Sequence, residues 1–130
     1  MPWMLVYRVC GVYWIEMNSI TATSGLKLFD VVACDGRRVC LHETWFHHHI
    51  LGRKPEIAQL ANPVQEIQRA LTHAADVRRT TTYSTRPIYV GPMLGRGFFR
   101  EYCLHVAVQP YGDNRGLVIT VVMRKAMAAE

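Results

Sequence analysis

Twelve consecutive residues hold most of the chemistry in this chain: Trp45-Phe46-His47-His48-His49-Ile50-Leu51-Gly52-Arg53-Lys54-Pro55-Glu56. Imidazoles, cations and a carboxylate are the groups that acid–base catalysis without a metal requires. Histidine moves protons near neutral pH, and arginine stabilises developing negative charge. Adjacent histidines on a helix point about 100° apart, so they do not converge on one ion. Helical zinc sites place His at i and i+4, but Leu51, Gly52 and Arg53 occupy those positions after the triplet. Glu43 lies four before His47 and offers only a two-ligand pairing. The spacing argues against a metal centre, and neither metal nor cofactor is expected. Helical phase instead puts His49 and Arg53 on one face, with Glu56 just past Pro55. The remaining histidines of the triplet are expected to pack or to be solvated.

Further along, Arg78, Arg79 and Arg86 interleave with Tyr83 and Tyr89. Aromatics among arginines suit single-stranded RNA through stacking and phosphate contact, and they equally suit an ordinary sheet surface. On the last apolar run, strict alternation puts Val118, Thr120, Val122 and Arg124 on one face. Ile119, Val121, Met123 and Lys125 then share the other. Thr120 reads either as a β-former or as an inserted hydroxyl, and Arg124 at the strand end reaches outward. His105 alternates with Cys103 and Ala107 and reads as a core position. His42 and His73 stand near helix ends.

Elements must position these groups. Residues 4–16 are rich in β-branched and aromatic types, which suits a strand. Leu26–Ala33 and Arg38–Leu41 flank Cys34-Asp35-Gly36-Arg37, a hairpin signal. Thr44 is placed to cap a helix through Trp45–Arg53 that Pro55 ends. Pro55-Glu56 starts another helix. Asn62-Pro63, with Gln65 at the box position, starts a third, in which Val64, Ile67, Ala70, Leu71 and Ala74 recur at helical spacing. Val77–Ser84 and Pro87–Val90 look extended. Phe98–Gln109 and Leu117–Lys125 are strong strands joined by the turn Pro110–Gly116. The order predicts an α+β fold: an N-terminal β-hairpin and short helices, followed by a four-stranded antiparallel sheet.

The 130 residues suit one domain, with 50% hydrophobic and 19% charged residues. No apolar run reaches the roughly 18 residues of a membrane span, and Arg8 interrupts the apolar N-terminal stretch, which reads as strand rather than signal peptide. Cys34 and Cys40 flank the turn and could meet across the hairpin. The stronger reading of all four cysteines is reduced thiols in a cytoplasmic protein. Residues 76–125 carry eight basic against three acidic side chains, which equals the whole net charge of +5. Twelve of the fifteen basic residues are arginine, whose planar fork binds phosphate bidentately. An anionic partner is thus expected, with a generic basic surface as the alternative.

The order Leu41–Glu43, Trp45, His49-Ile50-Leu51, Arg53-Lys54-Pro55-Glu56, Ile67–Leu71, Val77, Arg86, Tyr89, Val106–Val108 and Val118-Ile119-Thr120 resembles the phage- and toxin-associated nucleases of the Barnase–EndoU–colicin–RelE superfamily. The likeness covers residues 28–125. It divides the chain into an N-terminal extension, 1–27, outside the likeness and read as an extra strand or a partner-binding addition, and a nuclease-like domain, 28–130. His49-Ile50 matches the family's His-Ile pair, Pro55-Glu56 its Pro-Glu, Arg86 and Tyr89 a later strand, and Ile119-Thr120 the terminal one. Lys54 stands where the family has the His of His-Pro-Glu, and Val121-Val122 replaces Ala-Tyr.

The resemblance implies a metal-independent, toxin-like endoribonuclease in which the RNA 2′-OH attacks. Together with the residue reading above, which supplies Arg124 from its place at the strand end, it casts His49, Lys54, Glu56 and Thr120 as catalytic and Arg53, Arg86, Tyr89 and Arg124 as substrate-binding. RNA would be the partner, with an antitoxin or immunity protein as inhibitor and no membrane. The Lys54 departure supports the alternative of a non-catalytic RNA- or protein-binding module on the same scaffold.

Overall fold

The computed structural model describes residues 22–79 and 86–126. The strand expected over 4–16, Cys10 and Tyr83 lie outside them. Six strands, β1 (Lys27–Val32), β2 (Arg38–His42), β3 (Asp76–Arg79), β4 (Pro87–Val90), β5 (Tyr102–Tyr111) and β6 (Arg115–Lys125), form one sheet ordered β1-β2-β6-β5-β4-β3. The helices are α1 (Glu43–Trp45), a π-helical segment (Phe46–Leu51), α2 (Pro55–Ala58) and α3 (Pro63–Thr72).

The protein is α+β. Its sheet is larger than the four-stranded antiparallel one expected. β6, β5, β4 and β3 do run antiparallel in succession, but the β1–β2 hairpin joins the same sheet through a parallel β2–β6 pair. The hairpin turns at Asp35-Gly36, where Gly36 takes φ 90°. Cys40 sits on β2 opposite Asp30, while Cys34 lies exposed in the turn. The two thiols therefore do not meet, and both are free.

Asn62 caps α3 as its sequence requires, its side-chain oxygen accepting from the Gln65 N–H at 3.2 Å. Ile67, Ala70 and Leu71 bury the apolar stripe of that helix. The first helix departs from expectation. It starts at Glu43 with His42 at the N-cap, and no side chain caps it, so Thr44 lies inside the helix.

One core unites both layers. Phe46, Ile50, Ile57, Ile67 and Leu71 of the helices pack with Val39, Leu41, Leu104, Val106, Val108, Val118 and Val121 of the sheet. Burying the largest of these side chains stabilises the fold by about 1.5–3 kcal/mol each. The opposite face of the sheet carries no helix among the described residues.

β6 does not alternate as its sequence suggests. Val108 pairs with Val118 and Ala107 with Thr120, so Ile119 is an extra residue, a β-bulge. Val118 and Val121 consequently both face the core, while Thr120, Val122 and Arg124 turn to the helix-free face.

Candidate functional site

The histidine triplet lies on the π-helical segment. The Gly52 N–H donates to the His47 carbonyl at 3.1 Å, a span of five residues, and the Lys54 N–H to the Ile50 carbonyl at 2.9 Å, a span of four. A β-carbon on Gly52 would sit 2.6 Å from the His48 carbonyl oxygen, so the wide turn closes only on a glycine. Short π-helical stretches are rare and concentrate at functional sites.

His49 is half-buried, while His47 and His48 are exposed. Its ring stacks on Trp45 with centroids 3.8 Å apart and an interplanar angle of 18°. Trp45 is fixed in turn: its indole N–H donates to the Ile119 carbonyl at 3.0 Å. The bulge at Ile119 thus anchors the platform that holds His49. Burial, then the neighbouring Arg53, then His48 hold the His49 pKa below the ordinary histidine value. That shift favours the neutral imidazole, the form able to accept a proton. Lys54, at the N-cap of α2, is half-buried, as is Glu56 in the first turn of that helix; Arg53 is exposed.

The other expected site residues do not join this group. Thr120 and Arg124 sit on the helix-free face of the sheet, with the core layer between them and His49. Arg86 is exposed and its Nε donates to Gln109 at 2.7 Å, Gln109 being on that same face because Val108 beside it is buried. Tyr89, expected among the substrate-binding residues, is 0% exposed and lies in the core. Its hydroxyl donates to the Asp35 carboxylate, 2.9 Å from each oxygen, and ties β4 to the β1–β2 turn. Burial first, and that hydrogen bond second, raise the Tyr89 pKa strongly. The eight expected residues therefore fall into a group on or between the π-helical segment and α2 (His49, Arg53, Lys54 and Glu56), a group on or beside the helix-free face of the sheet (Thr120, Arg86 and Arg124), and one core residue, Tyr89.

His105 is a group that the sequence reading misplaced. It is half-exposed on the helix-free face, because Leu104 and Val106 on either side of it are buried in the core. Cys103 and Ala107 do share its face, as alternation requires, but that face is not the core. Burial, then Arg78 on β3 and Arg124 on β6, hold its pKa below the ordinary value. The signal for this cluster was period-two alternation on β5; the missing information was the strand order that sets Arg78 and Arg124 on either side of it.

Among the described residues no three His, Cys, Asp or Glu side chains gather as metal ligands, and no helix is long and apolar enough to cross a membrane. No protein-family model matches the chain, and neither the curated proteins nor the solved structures contain a significant match to it.

Proposed function

We propose that this chain is a metal-independent endoribonuclease of the Barnase–EndoU–colicin–RelE type, cytoplasmic and toxin-like, with RNA as substrate and an antitoxin or immunity protein as its inhibitor. The observation that carries the reading is His49, stacked on Trp45 and beside Arg53, whose burial and cationic neighbour favour its neutral form. The imidazole takes the proton of an RNA 2′-OH as that oxygen attacks the adjacent phosphorus. Lys54, in place of the family's second histidine, protonates the departing 5′-oxygen, with Glu56 as the other candidate carrier. Arg53 neutralises the charge that builds on the phosphorane. Thr120, Arg86 and Arg124, on the helix-free face, and the buried Tyr89 are left out of this reading of the centre.

A second reading is a non-catalytic RNA-binding module. It is favoured by the basic groups of the helix-free sheet face, which require no proton transfer to hold a phosphodiester chain. Incubation with total RNA in EDTA, followed by end-group analysis, separates the two. The nuclease yields 2′,3′-cyclic phosphate ends, and His49→Ala stops their release. Binding with no cleaved ends, or equal cleavage by His49→Ala, would overturn the first reading.

A further inference from the structure

The helix-free face holds a hollow of about 710 Å³ where β4 and β6 end and β5 begins. Arg78, Arg124 and Lys125 line it with His105, and Val90 and Met93 supply apolar wall. We propose that this hollow is a subsite for a single phosphorylated nucleoside, separate from the His49 centre and independent of any cleavage there.

Its charge fits that occupant. Among the described residues Asp76 is the only acidic side chain that lines the hollow, and it already accepts from Arg78 Nε at 3.0 Å. Lys125 has a loose partner, Glu101, at 3.9 Å. Arg124 makes no ion pair among the described residues, although its register partner Cys103 sets it directly over the hollow. Two guanidinium forks and an ammonium thus face one committed carboxylate, an arrangement that attracts a phosphate and binds it bidentately. The remainder of the hollow suits a nucleoside rather than a bare ion. Its volume falls within the roughly 300–1,000 Å³ of small-molecule sites, and such sites combine apolar walls with a few placed polar groups. Met93 is 53% exposed at the rim and offers a polarisable surface to a planar base. His105 as neutral imidazole presents one donor and one acceptor, the complement of a base edge or a ribose hydroxyl.

The test is a titration of the full chain with adenosine 3′-monophosphate, inorganic phosphate and adenosine, followed by NMR at the histidine ring resonances. The nucleotide is expected to shift the His105 ring signals and to leave those of His49 in place. Arg124→Ala and Arg78→Ala are each expected to weaken binding by about tenfold or more, the loss of a charge-assisted hydrogen bond. Both side chains are exposed, so these variants keep the fold. A short oligonucleotide with a 3′-phosphate that binds tighter than the mononucleotide identifies RNA as the source, and equal affinity identifies a free nucleotide. Inorganic phosphate binding as tightly as the nucleotide overturns the proposal. So does a nucleotide affinity unchanged in both arginine variants, or shifts confined to His49.

Discussion

His49 and His105 are both histidines whose pKa is lowered, first by burial and then by arginine. They reach that state by different routes. The neighbours of His49 come from its own stretch of chain: Trp45 four residues before it, His48 beside it and Arg53 four after. Those of His105 come from two other strands, Arg78 of β3 and Arg124 of β6, 27 residues before and 19 after by the numbering. A helical turn brings side chains three or four apart together whatever the rest of the fold does. A sheet brings together only what strand order and register select. The first environment is gathered by one local stretch of chain and fastened by a single long-range bond, Trp45 to the Ile119 carbonyl, whereas the second exists only in the complete sheet.

The largest effect that would break this contrast concerns division of labour. His49→Ala is expected to slow RNA cleavage by about 10²–10⁴-fold, the range for a lost general acid or base, while nucleotide affinity at the sheet hollow stays as in the wild type. Steady-state cleavage alongside the nucleotide titration reads both. A His49→Ala protein that loses both functions together would show that the two regions are one site.

Tyr89 sharpens the comparison by belonging to neither region. Tyr89→Ala is expected to cost about 3–5 kcal/mol of stability, as for other large buried aromatics, read from urea unfolding midpoints. Tyr89→Phe, which removes only the bond to Asp35, should cost about 1–3 kcal/mol. A Phe variant as stable as wild type but weaker in RNA binding would return Tyr89 to the substrate.

Gly52→Ala tests whether the helix-borne environment depends on its wide turn. The added methyl meets the His48 carbonyl, and relief of that contact is expected to cost about 1–3 kcal/mol and to loosen the His49–Trp45 stack. With Trp3 and Trp14 replaced by Phe, the stack is read as quenching of Trp45 fluorescence when acid protonates the ring; a variant with unchanged quenching and stability would sever the link between the turn and the stack.

The smallest effect is a pH dependence. Both histidines titrate in the folded protein below their unfolded value of about 6.5. The unfolded chain thus binds more protons in this window. Their contribution to stability is complete above about pH 6.5 and is lost as the pH falls through the two folded-state values. Urea midpoints at pH 7.5 and 5.0 should differ more for wild type than for the double variant His49→Gln and His105→Gln. Equal differences would mean that neither ring is held neutral by its surroundings.

The parts of the fold legible in the sequence were those governed by neighbours along the chain. Asn62-Pro63 announced the start of α3, because an oxygen three residues before a free N–H needs no tertiary partner. Asp35-Gly36 announced its hairpin, because few residues accept positive φ. The four-residue spacing brought Arg53 near His49, although Arg53 lies in the turn after the π-helical segment rather than on the expected helix. Less legible were the features that depend on what lies across the chain. The bulge at Ile119 reverses the alternation on β6 and could not be read from a run of β-branched residues with no polar marker. His105 looked like core because Cys103 and Ala107 are apolar on either face of a sheet.

The sequence alone determined, then, that a helix would carry three histidines ahead of Arg53-Lys54-Pro55-Glu56, and that an arginine-rich antiparallel block would follow. These depend on backbone preferences and spacings of four residues or fewer. Only the tertiary structure decided that Thr120, Arg86 and Arg124 turn away from His49, that Tyr89 belongs to the core, and that His105 lies between two arginines. Each of those outcomes depends on strand order, on register and on one extra residue in β6, all set by long-range pairing and by which face of the sheet the helices cover.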